Sequence, residues 1–260
     1  MPRTALGKMK STSRSRATDR RAVVQSVSRA YEVLRVLREA TTPMSALSIA
    51  EAAALDRTVV HRLLRTLLSS NLVLEEATGF RLGPGTVLLA NRYFENLLVR
   101  RLAIPYLLEV QTKVIGDRSW SLSLSIPVED LLAIVERIWA SNTPINLVLD
   151  RGDMYPIDTT TVGTCILAYF DEAHTRRLLG DNRYKIIAPN LEAVRKADGV
   201  WAARSNSGAE VVGAAIRTRS GQPIAGIGVM GHDLGDDLGI NSNLANRLRE
   251  AANAIGKSLP

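Results

Sequence analysis

The sequence predicts an α+β protein with an N-terminal winged helix-turn-helix, a linker helix and a larger mixed α/β domain. Three observations predict it. Three short amphipathic helical segments and a hairpin signal follow one another within residues 23–83, a long apolar helical stretch fills 84–115, and residues 116–260 mix strand-like runs with helices. With 260 residues and 46% hydrophobic content, the chain has enough apolar side chain for two cores.

Residues 1–22 form a basic arm with few apolar residues. Residues 1–29 hold eight Lys and Arg against one acid, Asp19, which equals the net charge of +7 for the whole chain. Such a segment cannot offset its ordering entropy and is expected to be disordered when free. It carries the charge to bind a polyanion by releasing counterions, with a solubilising tail as the alternative. No apolar run approaches the roughly 18 residues of a membrane span, and the start of the chain lacks the apolar stretch of a signal peptide. A cytoplasmic protein with no membrane partner is expected. The single cysteine, Cys165, excludes an intrachain disulfide and a cysteine-cluster metal site.

In the first helix Val23, Val27, Ala30, Val33, Leu34 and Leu37 recur at helical spacing, and Thr41-Thr42-Pro43 ends it. Ser45 is an N-cap candidate for a second helix carrying Leu47, Ile49, Ala50 and Ala53. Asp56 is the N-cap candidate for a third, Arg57 to Leu68. There Val60, Leu63, Leu64 and Leu67 share one face, whereas Thr58, His61, Arg62 and Arg65 stand at i, i+3, i+4 and i+7 on the other. No carboxylate interrupts residues 57–74, whereas an ordinary solvated face mixes both signs. Arginine grips guanine bidentately or clasps phosphate, and threonine and histidine reach base edges or backbone oxygens. Arg57, at the helix start, completes the set expected to meet double-stranded operator DNA. Leu72–Glu75 and Phe80–Leu82 read as strands joined through Ala77-Thr78-Gly79, a wing whose Thr78 and Arg81 are candidates for backbone or minor-groove contact.

Gly83-Pro84-Gly85 marks the next boundary. Beyond it Val87, Leu88, Leu89, Tyr93, Leu97, Leu98, Leu102, Ile104, Leu107 and Leu108 make a helical stretch, expected to bend or break near Pro105. Its apolar content exceeds what one domain buries, which predicts a connector that pairs with another subunit. Trp120 to Ile126 alternates at period two, Leu131 to Val135 follows, and Val211–Ile216 and Pro223–Val229 form a pair about Ser220-Gly221. Between them Thr159 to Gly163 runs into an apolar helix, Cys165 to Phe170, and a last helix surrounds Leu244 to Leu248. The expected domain has antiparallel strands with helices on one face.

These residues resemble the IclR family of bacterial transcriptional regulators across 23–260. The resemblance runs through Gln25 to Ala30, Ile49-Ala50-Glu51 with Leu55, Thr58 to Leu67 and Phe80 to Gly83. It continues through Pro156-Ile157, Thr160, Gly163, Ile216, Ser220-Gly221 and Ile224 to Ile227. It implies a homodimer or dimer of dimers on a palindromic operator, and a GAF-like C-terminal domain that binds a small effector, often an organic or aromatic acid. It places the effector against Thr160, Thr161, Val162, Gly163, Val211, Val212, Gly228 and Met230. This sequence departs from the family pattern at several of its positions. Asp158 stands where histidine is usual, Thr164 where lysine is usual, and Gly228 and Met230 where small polar residues are expected. The acidic residue commonly preceding the 208–216 strand is replaced within Arg204-Ser205-Asn206, and Ala54 stands where the turn glycine usually sits. These changes point to a different or more apolar ligand, or to a sensor domain that acts without one.

An enzyme is the rival class. The only histidines are His61, His174 and His232, and no nucleophile elbow, phosphate-binding loop or paired-histidine metal motif is present. No cofactor is expected. Cys165 begins an apolar helix and reads as packing, and Asp233, Asp236 and Asp237 do not have EF-hand spacing.

Overall fold

The structure, a computed structural model, describes residues 23–144, 147, 152–205 and 208–259. The basic arm therefore lies outside the described residues. Two compact units divide between Tyr93 and Phe94.

The first unit contains α1 (Gln25–Glu39), α2 (Ala46–Ala52), α3 (Arg57–Ser69), β1 (Val73–Glu76), β2 (Gly79–Leu82) and most of α4 (Gly85–Asn96). Both expected N-caps are formed. The Ser45 hydroxyl accepts from the Ser48 amide at 3.1 Å, and the Asp56 carboxylate accepts from the Thr58 amide at 2.7 Å and the Val59 amide at 3.4 Å. Ala54, in the turn between α2 and α3, has a φ of +51°, the left-handed region that a side chain resists. Val33, Val36, Leu37, Ile49, Ala50, Val60, Leu64, Leu67 and Val73 close the core. Val23 and Val27 do not join it: they are 53% and 66% exposed, and Val36 takes the place the spacing gave them.

The wing is tight. Val73 pairs with Leu82 and Glu76 with Gly79, leaving Ala77 and Thr78 as the turn. Met44 adds a third short edge, exchanging hydrogen bonds with Phe80 at 2.9 and 2.8 Å. Gly79 is required there, because a Cβ would come within 2.4 Å of the Met44 carbonyl oxygen.

The second unit is built on a six-stranded antiparallel sheet of β3 (Ser121–Val128), β4 (Leu131–Trp139), β5 (Met154–Pro156), β6 (Val200–Arg204), β7 (Glu210–Arg217) and β8 (Pro223–Gly231). Their spatial order is β5-β4-β3-β8-β7-β6. One face packs on α5 (Leu98–Val110) and α8 (Asn243–Lys257), with Leu122, Leu124, Val212, Ile216, Ile227 and Val229 at the contact. The other face meets α6 (Thr161–Leu167) and α7 (Glu172–Lys196), which is kinked at Gly180. Helices thus cover both faces, not one. The Leu/Ser alternation of β3 reads as a strand with one wet side, yet every residue from Ser121 to Ile126 is buried.

Two further points correct the sequence reading, and a third adds to it. The helical stretch breaks at Leu97, whose ψ of 95° is extended, while Pro105 sits inside a continuous α5. Helix α6 starts at Thr161 rather than Cys165, because the Thr160 hydroxyl caps it by accepting from the Gly163 amide at 3.0 Å. An acid is also present at the head of β7: Glu210, 6% exposed, pairs with Arg204 at 2.8 Å and accepts from the Leu234 amide at 2.8 Å.

Candidate nucleic-acid interface and ligand site

Helix α3 separates its faces as its period demands. Val60, Leu64 and Leu67 are buried and Leu63 half-buried, while Arg57, Thr58, His61, Arg62 and Arg65 are all exposed. Arg57, Arg62 and Arg65 make no ion pair among the described residues. Cations held by a closed core and left unpaired remain available to phosphate or base edges. The wing differs. Thr78 is exposed at its tip, but the Arg81 guanidinium is paired with Glu76, its diagonal neighbour on the other strand of the hairpin.

In the second unit, Thr160 to Gly163 form the start of α6 against the sheet. Gly163 permits the approach, since a Cβ there would lie 1.9 Å from the Ile157 carbonyl oxygen. Val162 presses onto a floor of glycines from β7 and β8: a Cβ on Gly226 or Gly228 would come within 2.5 Å of its methyls. Val211 and Met230 are cross-strand partners, and Gly213 and Gly228 are the next pair with side positions on the same face. Seven of the eight positions expected to meet an effector therefore lie at or beside the start of α6. Val212 does not, because strand alternation turns it to the α5 and α8 side, where it is fully buried.

The same face carries polar groups that the sequence reading passed over. Ser121, Ser123 and Ser125 of β3 stand opposite Met230, Gly228 and Gly226 of β8. All three are buried, and the hydroxyls of Ser121 and Ser125 have no hydrogen-bond partner among the described residues. Leaving a buried hydroxyl unsatisfied costs about 1–3 kcal/mol. The signal was the regular Ser spacing in 121–125, which on its own is what a solvent face shows.

Next to the site, Arg183 of α7 binds two carboxylates. Its Nε donates to Asp158 Oδ2 at 2.8 Å and its Nη1 to Asp130 Oδ2 at 3.1 Å, with a second Nη2 donation to Asp158. The guanidinium holds the Asp158 carboxyl below the usual carboxylate range. Asp158, one turn before α6, is thus committed to the Asp130–Arg183–Asp158 clamp.

The rival chemistry gains no geometry. Cys165 is fully buried, and desolvation pushes its thiol well above the usual range. His174 and His232 are exposed, and His174 packs edge-on to Phe170. Asp233 accepts the Trp120 indole N–H at 2.9 Å, and Asp237 faces Arg118. Among the described residues no group of His, Cys, Asp and Glu has metal-site spacing, and no helix is long and apolar enough to cross a membrane.

Comparison with known proteins agrees in both units. The family model of the IclR helix-turn-helix domain matches residues 26–76, and that of the bacterial transcriptional regulator IclR C-terminal region matches residues 91–257. The chain is 26% identical over 161 residues to the probable transcriptional regulator SauR of Cupriavidus necator, spanning 58% of this chain and 59% of that relative. A crystal structure of an IclR family transcriptional regulator from Brucella abortus superposes with a TM-score of 0.75 at 18% identity, covering 93% of this chain and 95% of the other. An IclR homologue from Microbacterium hydrocarbonoxydans, solved with 4-hydroxybenzoate, gives a TM-score of 0.67 at 21% identity, covering 89% and 97%. At such identities the two structures share the fold with this chain.

Proposed function

Since the chain belongs to the IclR family of bacterial transcriptional regulators, which join a DNA-binding helix-turn-helix domain to an effector-binding C-terminal domain, we propose that it is an effector-controlled repressor acting in the cytoplasm. It binds a double-stranded operator through α3 and the wing. The observation that carries this reading is the face of α3, where Arg57, Arg62 and Arg65 stand exposed and unpaired among the described residues beside Thr58 and His61. Arg62 and Arg65 reach bases, Arg57 and Thr58 the backbone at the helix start, and Thr78 the backbone beside the wing. Arg81 contributes only after releasing Glu76.

A palindrome requires two copies. Val23, Val24, Val27 and Tyr31 around the start of α1, and Val87, Leu88 and Leu89 of α4, are each about half exposed or more, which suits a homodimer or a dimer of dimers with residues 84–115 as connector. The effector, a small organic molecule, lodges between the start of α6 and the sheet face that carries Val211, Gly228 and Met230.

Coupling runs through β4. Arg137 pairs across with Ser123 on the α6 side, while Glu136 pairs across with Leu124 on the other side and binds Arg100 of α5 at 2.5 Å. A ligand that shifts β4 pulls on α5, which follows α4 in the chain. In the dimer this changes the separation of the two recognition helices from the roughly 34 Å that successive major-groove half-sites demand.

The test is fluorescence anisotropy of the purified protein on DNA from its own upstream region against unrelated DNA of equal length, across a salt series. Selective binding whose affinity falls steeply with salt is expected. Equal affinity for both DNAs, or no binding to either, overturns the reading.

A further inference from the structure

The three serines of β3 are the least explained polar groups in the protein. Ser121, Ser123 and Ser125 are 3%, 5% and 0% exposed. The hydroxyls of Ser121 and Ser125 meet no partner among the described residues, and that of Ser123 only grazes the Gly228 carbonyl at 3.5 Å. Buried hydroxyls in native proteins are nearly always satisfied, so orphans grouped along one strand face call for a partner from outside the chain. Their neighbours supply none. Across β8 stand Met230, Gly228 and Gly226, and beyond them on β7 Val211, Gly213 and Ala215. On the other side Trp139 and Arg137 pair with Ser121 and Ser123, the Arg137 guanidinium lying over the Trp139 ring at 4.3 Å.

We infer that Ser121 and Ser123 are ligand-recognition residues of the effector site, and that they select a small, neutral, flat molecule bearing a hydroxyl or carbonyl group. This rests on the reading of the domain as an effector sensor. A hydroxyl both donates and accepts, so a pair of them matches an alcohol, phenol or lactone. The glycine floor and the Met230 and Val211 side chains suit a flat apolar body. On β3 and β8 this face holds no charged side chain among the described residues, Arg217 at the far end of β7 lies over Tyr169 and pairs with Asp198, and the nearby Asp158 is already neutralised by Arg183. The nearest cation, the Arg137 guanidinium of β4 beside Ser123, is engaged over the Trp139 ring, so a carboxylate would exchange water there mainly for neutral dipoles, an unfavourable transfer. Ser125, opposite Gly226 and the one fully buried serine of the three, lies deepest and is left out of the contact. A ligand at Ser123 lies beside Val162, whose displacement from the Gly228 floor carries binding into α6.

Calorimetry and thermal melting of the full chain with benzyl alcohol and phenol, and with benzoate as the matched anion, test this. The neutral probes should bind more tightly than benzoate and raise the melting temperature with concentration. The Ser121→Ala/Ser123→Ala variant should lose about tenfold or more in affinity for them, while Ser220→Ala on the exposed β7–β8 turn loses none. Removing unpartnered hydroxyls should leave the ligand-free melting temperature unchanged or raised, and DNA binding intact. Preference for benzoate, no binding of any probe, or unchanged affinity in the double variant overturns the inference while the DNA-binding reading stands. A fall of more than about 5 °C in the ligand-free melting temperature makes the serines structural and overturns it as well. Loss of DNA binding by the unaltered protein is a different failure, that of the regulator reading itself.

Discussion

The outer face of α3 and the inner face of β3 both hold polar groups with no protein partner, but one faces water and the other does not. Arg62 and Arg65 are hydrated until a phosphate or base replaces the water, so leaving them unpaired costs the free protein little. Ser121 has been taken out of water and given nothing in return, and Ser123 only a long contact with the Gly228 carbonyl at 3.5 Å. An exposed set can wait for a large polyanion at small cost, whereas a buried set stores a penalty that a small ligand removes. The two arrangements fit the two tasks of a regulator, reading a long surface and sensing a single molecule.

Three changes probe that contrast, beginning with the largest. Gly163→Ala places a Cβ 1.9 Å from the Ile157 carbonyl oxygen, so the start of α6 must move. A loss of about 2–3 kcal/mol is expected in urea unfolding of the second unit, with the first unit unaltered. An unchanged unfolding curve would mean that α6 is not seated tightly on its loop.

Asp158→Asn breaks the clamp with Arg183 and should cost about 1 kcal/mol near pH 7, since the pair is partly exposed. The folded Asp158 carboxyl lies below its ordinary value, so its contribution is present above about pH 4 and is lost as pH falls through the folded value. Melting temperatures of the two proteins should therefore differ at neutral pH and converge in acid. A constant gap across that range removes the charge-based account of the clamp.

The smallest effect belongs to Ala54→Gly. Relief of the +51° φ is opposed by the extra freedom of glycine in the unfolded chain, leaving a net gain of about 0.5 kcal/mol in the first unit. A loss on thermal melting would show that the turn between α2 and α3 prefers the alanine.

The contrast between the faces also governs what the sequence discloses. Helix α3 is legible because its polar and apolar residues segregate at the helical period and Asp56 marks its start. The wing is legible from its turn residues. The β3 serines are not, because Leu-Ser alternation is identical whether the serine side meets water or α6, and only the packing of α6 decides. The same ambiguity misplaced Val212, whose neighbour Val211 is the one that turns toward α6. Helix α7 escaped because Gly180 kinks it and its apolar residues form no continuous stripe. Val23 and Val27 fit the helical spacing of α1 but stay exposed, since periodicity cannot distinguish a core face from a face kept for another subunit.

The account stands most directly on the exposed cations of α3. Anisotropy titration of the Arg62→Ala/Arg65→Ala variant on the selected operator, with its melting curve recorded alongside, tests them. An intact fold with operator affinity reduced by about a hundredfold, and a much smaller change on unrelated DNA, is the predicted result. Operator affinity equal to that of the unaltered protein would contradict it, and recognition would then belong to another surface of the chain.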